Sequence, residues 1–159
     1  MSSEPPSRPE LDVIDRRILA ILQDDAALTI AEIASLVGLS QTPCWRRIQR
    51  LEREGVILSR AAILDHRKVG LSLTALVFIK APDHSTRWLA HFAEALKAFP
   101  EIVEAHRLAG DIDYVLQVIV ADMAAYDRFY ARLIAAAPLK SVTTRFALED
   151  VKQRGPLPL

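Results

Sequence analysis

An α+β fold in two parts is predicted, an N-terminal winged helix-turn-helix followed by a C-terminal ferredoxin-like βαββαβ domain. Three observations carry it. Apolar residues recur at helical spacing through three short segments before Gly55. The third of these segments carries arginine on one side only. From about Leu71 the rhythm changes to short, strongly apolar stretches interleaved with two helical ones.

Leu11, Ile14, Ile18, Ile21 and Leu22 share one helical face and predict a first helix over about Asp12 to Gln23, ended by Asp24-Asp25. Thr29 followed by Glu32 has the spacing of a capping box, so a second helix starts at about Ile30 and buries Ile33, Ala34 and Val37. Gly38 supplies a turn that glycine makes cheaply. Ser40 is placed to cap the third helix, and Pro43 sits in its first turn, where a missing N–H costs nothing. Gly55 closes that helix. Val56 to Leu64 alternates loosely and reads as a short β-wing or a connecting strand.

The second part begins after a break at 65–71, where His66, Arg67, Lys68 and Gly70 interrupt the apolar pattern. Leu73–Lys80 reads as a strand. Thr86–Ala98 reads as a helix burying Leu89, Phe92, Ala93 and Leu96, and Ile102–Leu108 as a second strand after Pro100. Gly110-Asp-Ile-Asp makes a turn into a third strand, Tyr114–Val120. Asp122 caps a helix burying Tyr126, Phe129, Leu133 and Ile134. Val142–Leu148 closes the sheet. This order predicts a four-stranded antiparallel sheet with both helices on one face. Its other face is left bare and apolar, which favours cover by a second copy over a loosely covered sheet. The expected domains are a disordered lead-in at 1–10, the winged helix-turn-helix at 11–64, a linker at 65–71 and the ferredoxin-like domain at 72–159.

Composition bounds the function. The 159 residues are 51% hydrophobic and 25% charged with a net charge of zero, which excludes a disordered chain and an overall polycation. Charge is local instead. Between Ser40 and Arg60 five arginines (46, 47, 50, 53, 60) face two glutamates (52, 54), a net of +3. Cys44 is the only cysteine, so no intramolecular disulfide or Cys-pair metal site forms, in keeping with a reducing cytoplasm. No apolar run approaches a membrane span of ~20 residues, so no membrane partner is expected.

The arginines define the first candidate site. With Arg46 as origin and about 100° per residue, Arg50 falls at about 40° and Arg53 at about −20°, opposite Cys44, Ile48 and Leu51. Three aligned guanidinium groups behind a glycine turn read as a recognition helix offering forks to phosphate and guanine edges rather than as an ordinary solvated face. Ser40, Gln41 and Thr42 stand at the helix N-terminus, where free amides favour phosphate. Gln49 reaches the same groove. Trp45 flanks the core and is either packing or DNA contact, and Arg47 is a phosphate clamp or a salt-bridge partner. Cys44 lies on the apolar face and reads as a buried contact, not a redox sensor. The four histidines lack metal-ligand spacing, and no phosphate loop or nucleophile motif occurs, so neither metal, cofactor nor enzymatic activity is expected.

Leu11-Asp-Val-Ile-Asp-Arg-Arg-Ile-Leu, Gly38-Leu-Ser-Gln-Thr-Pro-Cys-Trp-Arg-Arg-Ile-Gln-Arg-Leu-Glu, Glu54-Gly-Val-Ile and Gly110-Asp-Ile-Asp-Tyr occur in this order over nearly the whole chain from Leu11. In these motifs the chain resembles the Lrp/AsnC (feast/famine) family of bacterial and archaeal transcription regulators. The resemblance implies a DNA-binding N-terminal domain and a RAM- or ACT-like C-terminal domain that dimerises and senses amino acids. It also implies that dimers assemble into tetramers, octamers or hexadecamers, with effectors at contacts between dimers against the Gly-Asp-x-Asp turn. Thr42-Pro-Cys-Trp and Ala121-Asp-Met-Ala-Ala-Tyr-Asp-Arg-Phe-Tyr look like a subgroup with some cysteine-responsive members.

On the residues alone Gly110, Asp111 and Asp113 form a hairpin turn. On the resemblance they bracket a zwitterion, amides taking its carboxylate and an aspartate its ammonium. Tyr114 then closes the pocket, and Thr143 and Thr144 contribute from a neighbouring subunit. The expectation is a transcription regulator that binds double-stranded DNA under amino-acid control. Two alternatives stand beside it. One is an architectural DNA-binding protein without an effector. The other is a tetrapyrrole-processing enzyme of related fold, for which only His106 and Arg107 come near a candidate cleft.

Overall fold

The computed structural model describes residues 9–152 and 155–159, so the expected lead-in lies almost wholly outside the described residues. The chain divides between Ile63 and Leu64 into two compact units, and the tail after Val151 groups with the first.

The first unit contains α1 (Val13–Asp24), α2 (Ile30–Val37) and α3 (Gln41–Arg53). Both expected helix starts are built from reciprocal caps. Asp12 and Asp15 form a capping box on α1, and Thr29 and Glu32 form one on α2, each satisfying orphan amides of a first turn. The α2–α3 turn is set by Gly38 at φ 74°, the left-handed region, with Leu39 N–H returning to the Ala34 carbonyl at 2.9 Å. Ser40 occupies the N-cap of α3, but its side chain makes no capping bond. Ile18, Leu19, Ile33, Ala34, Val37, Cys44, Ile48 and Leu51 form one core. The stripe of α3 opposite the arginines is therefore buried as its spacing predicts.

The expected β-wing at Val56–Leu64 is not present as a strand. A strand needs a partner ladder, and among the described residues no backbone hydrogen bond is made by 58–64. Val56 and Ile57 pack against the core, but Leu58, Ile63 and Leu64 are exposed, so the apolar alternation beyond Ile57 reflects no buried face. The tail is hydrogen-bonded to α1 at Leu157. Leu157 N–H donates to the Gln23 side-chain oxygen at 2.6 Å and the Gln23 amide nitrogen donates back to the Leu157 carbonyl at 3.3 Å.

The second unit runs β1 (Leu73–Lys80), α4 (Thr86–Leu96), β2 (Ile102–Arg107), β3 (Tyr114–Val120), α5 (Met123–Ala136) and β4 (Ser141–Phe146). The strands form one antiparallel sheet in the order β2-β3-β1-β4, the expected ferredoxin-like arrangement. Ala75, Val77 and Ile79 of β1 and Leu116, Val118 and Val120 of β3 pack beneath Trp88 and Phe92 of α4 and Tyr126, Phe129 and Leu133 of α5. Two core assignments differ. Ala93 and Ile134 are exposed, and Trp88 is buried in their stead, stacked on Phe92 at 4.8 Å with its indole N–H donating to the Pro138 carbonyl at 2.9 Å. The alternate positions Leu76 and Phe78 of β1 and Val115 and Ile119 of β3 lie on the opposite face and are only half-buried.

Candidate nucleic-acid interface and effector turn

Helix α3 buries Cys44, Ile48 and Leu51 and turns Gln41, Thr42, Trp45, Arg46, Gln49 and Arg53 outward. Burial raises the Cys44 thiol above its ordinary pKa, so the reactive thiolate is disfavoured there. The arginines do not behave as one stripe. Arg50 donates through Nη2 to Asp15 Oδ2 at 2.5 Å, and Arg47 donates through Nη1 to Asp15 Oδ1 at 2.8 Å and Asp12 Oδ2 at 2.6 Å. Asp15 is 1% exposed, so its carboxylate must be compensated inside the fold. Arg47 is held above its ordinary pKa by the Asp12 and then the Asp15 hydrogen bond. Asp12 is held below its own by the Asp15 amide first and the Arg47 side chain second.

This pairing gives Arg47 the salt-bridge partners that were one of its two expected alternatives, and gives Arg50 a partner that the helical wheel does not show. Both guanidinium groups brace α3 against α1. Arg60 is likewise paired, to Glu52 at 2.8 Å, and Gln49 donates to Glu52 at 2.8 Å. Among the described residues Arg46 and Arg53 are in no ion pair. The open face therefore centres on Thr42, Gln49 and Trp45, at about −40°, −60° and −100° from Arg46, with Arg46 and Arg53 along one margin. Trp45 is 50% exposed, which separates it from the core stripe. Asp12 and Asp15 were the residues missed by sequence reasoning. The sequence marks Asp12 as the start of α1 and shows neither their capping box nor their partnership with another helix.

The turn between β2 and β3 holds the second candidate site. Gly110 has φ 129°, which favours glycine, and a Cβ there would meet nothing within 4 Å, so backbone geometry alone selects it. Asp113 is more deeply engaged than a free ligand group. Its Oδ2 accepts from Ala81 N–H at 2.7 Å, its own N–H donates to the Ile79 carbonyl at 3.0 Å, and its carbonyl accepts from Leu108 N–H at 2.8 Å. Asp111 is exposed, and the amides of 109–112 make no hydrogen bond among the described residues. His84 Nε2 approaches the remaining oxygen Oδ1 of Asp113 at 3.6 Å, bringing the β1–α4 loop to the turn. Sequence distance alone had given no reason to join them.

The other expected effector residues separate. Tyr114 packs its ring edge-on to Phe92 at 4.9 Å, on the helix side of the sheet. Thr144 faces the same side and hydrogen-bonds the Tyr126 hydroxyl, whereas Thr143 lies on the opposite face, opposite Phe78. One residue of β4 cannot share a side with its neighbour. Among the described residues no cluster of histidine, cysteine or carboxylate is placed to hold a metal ion, and no helix is long and apolar enough to cross a membrane.

Comparison with known proteins bears on both units. Residues 11–57 match the winged helix-turn-helix DNA-binding family, and residues 74–157 match the Lrp/AsnC ligand binding domain. The chain is 45% identical over 150 residues to the DNA-binding transcriptional activator DecR of Escherichia coli K12, covering 94% of this chain and 99% of that one. Among solved structures it is similar to an AsnC family transcriptional regulator from Agrobacterium tumefaciens, at TM-score 0.88 and 49% identity over 93% of this chain and 97% of that one. A transcriptional regulator from Neisseria meningitidis in complex with L-Met is similar at TM-score 0.86 and 31% identity, covering 94% of this chain and 97% of that one.

Proposed function

The chain belongs to the Lrp/AsnC family of DNA-binding transcriptional regulators, and from that premise we propose that an amino acid controls its assembly or its affinity for a specific operator. The observation that carries this reading is the exposed face of α3, where Arg46 and Arg53 are in no ion pair among the described residues while its opposite face is buried. Thr42, Trp45, Gln49, Arg46 and Arg53 read base edges in the major groove, and Ser40 and Gln41 meet phosphate at the helix N-terminus. Arg47 and Arg50 hold the helix in place.

The effector binds at the Gly110–Asp113 turn. Its carboxylate takes the unpartnered amides of 109–112, and its ammonium takes Asp111 or the oxygen of Asp113 that faces His84. A second copy covers the open sheet face, since Leu76, Phe78, Val115 and Ile119 are bordered by Arg145 and Glu104, giving a rim of both signs suited to a two-fold contact. Dimers then assemble further into tetramers, octamers or hexadecamers. Coupling to DNA needs only that the ligand favour one assembly over another. The protein acts on DNA in the cytoplasm, without cofactor and without catalysis.

The testing experiment has two arms. Duplexes enriched from a random pool are titrated with the wild-type chain, and a thermal-shift screen over the amino acids is followed by sedimentation with each hit. Enrichment of one operator whose affinity or assembly responds to an amino acid supports the reading. Enrichment with no response to any amino acid leaves an architectural DNA-binding protein in its place.

A further inference from the structure

Two of the four arginines on the recognition helix are held by one buried carboxylate on another helix. Asp15 gives one oxygen to each, Oδ1 to Arg47 at 2.8 Å and Oδ2 to Arg50 at 2.5 Å, and Asp12 Oδ2 holds Arg47 as well, at 2.6 Å. A carboxylate 1% exposed needs such compensation, because an unpaired buried charge is strongly disfavoured. The arginines are not buried with it. Their side chains remain 30% and 34% exposed, so each retains an edge within reach of an approaching polyanion. Arg50 gives up a donor to hold this pose, for its Nε is buried without a partner among the described residues.

The geometry points to Asp15 as a specificity-determining residue that never touches DNA: it withholds Arg50, and together with Asp12 also Arg47, from the phosphate backbone. The inference rests on the DNA-binding reading above. Phosphate contacts add affinity for every sequence and carry little information, whereas base contacts discriminate. With two cations withheld, binding depends on the remaining face, where Thr42, Trp45 and Gln49 are neutral and only Arg46 and Arg53 are charged. The same carboxylate fixes the rotation of α3 about its axis, since two arginines one turn apart are anchored to one point.

The test uses the full chain and the isosteric variant Asp15→Asn. Affinity is measured across a salt series against an enriched duplex and a scrambled one. Each arginine released to phosphate should steepen the logarithmic salt slope by about 0.9 per DNA-binding unit. Between about 50 and about 200 mM salt this is an extra loss of roughly 3.5-fold for Arg50 alone, and of roughly 12-fold where Arg47 also leaves Asp12. The slope should steepen on both duplexes, and the enriched-to-scrambled affinity ratio should fall. Arg50→Gln should leave the wild-type slope unchanged, and Asp15→Asn/Arg50→Gln should return part of the steepening. A purely structural role for Asp15 would lower affinity for both duplexes without steepening the slope.

A wild-type slope in folded Asp15→Asn overturns the inference, and so does a slope flattened by about 0.9 in Arg50→Gln. If Asp15→Asn does not fold, as judged by circular dichroism, the Arg50→Gln slope decides alone. A wild-type chain that enriches no duplex fails the DNA-binding reading itself.

Discussion

Asp113 is the residue at which ligand binding and folding can be told apart, because its carboxylate has one engaged oxygen and one nearly free. Replacing it with alanine removes the acceptor for Ala81 N–H, now bonded at 2.7 Å, and Ala81 is only 6% exposed. The orphaned buried donor should cost about 1–3 kcal/mol. In a unit of this size that lowers the melting temperature by roughly 4–8 °C per kcal/mol. The backbone bonds of residue 113 to Ile79 and Leu108 survive the change, which caps the loss. Asparagine keeps an acceptor for Ala81 but lacks the charge, so its stability cost should stay below about 1 kcal/mol. If the second oxygen takes the ligand ammonium, asparagine should still weaken the amino acid by about 10- to 150-fold, the equivalent of ~1.5–3 kcal/mol for a charge-assisted bond. The assay is thermal unfolding without ligand, paired with calorimetry using the amino acid found by screening. An alanine variant melting at the wild-type temperature would refute the structural role. Wild-type ligand affinity in the asparagine variant would remove Asp113 from the ligand and leave Asp111 as the candidate.

Arg46→Ala should cost about 1–3 kcal/mol at the enriched operator without moving the unfolding midpoint, whereas Arg50→Ala should lower stability by a similar amount because Asp15 keeps only Arg47 and the Asp12 amide. Anisotropy and urea titrations of both variants check this, and reversed assignments would show that Arg50 leaves Asp15 for DNA. Phe78→Glu, placing a charge on the open sheet face under Arg145, should yield a monomer by sedimentation; an unchanged oligomer would move the interface elsewhere. Asp12 and Glu32 are both held below their ordinary pKa by the caps they form, Asp12 by the Asp15 amide first and Glu32 by the Thr29 amide first. Their stabilisation is therefore complete above the ordinary carboxylate range and lost as pH falls through the lowered values. Denaturant midpoints followed into acid should decline there, less so in Glu32→Gln, and parallel declines would count against the cap.

What the sequence made legible are properties that one element has by itself. The buried stripe of α3, the capping box of α2, the αL turn at Gly38 and the ferredoxin-like order of the second unit all depend on local spacing and local backbone geometry. The wing fails for the complementary reason. Alternation at Val56–Leu64 describes a strand only if a neighbour supplies its ladder, and no pattern within the segment can state whether one does. Trp88 was missed on the same ground. A tryptophan in the first turn of α4 reads as surface until the Pro138 carbonyl is brought within reach of its indole nitrogen.

The candidate site shows this limit most sharply in its charges. A helical wheel correctly places Arg46, Arg50 and Arg53 on one side, yet it counts every arginine as available. Availability is a property of pairs. In the sequence Asp12 marks only the start of α1; in the structure the oxygens left over after capping, Asp12 Oδ2 and Asp15 Oδ1, bind Arg47, while Arg50 shares Asp15 Oδ2 with the Asp12 amide. A carboxylate that satisfies a helix N-terminus and a recognition helix at once makes the two helices one rigid element, so the direction in which Thr42, Trp45 and Gln49 face is fixed by residues on α1. The net charge of +3 from Ser40 to Arg60 is correspondingly an overcount of what DNA would meet. With Arg47 and Arg50 neutralised by α1 and Arg60 by Glu52, the cations left on the face are Arg46 and Arg53. On the proposed reading, a face so sparsely charged gains little from phosphate attraction alone and would draw its discrimination from base contacts.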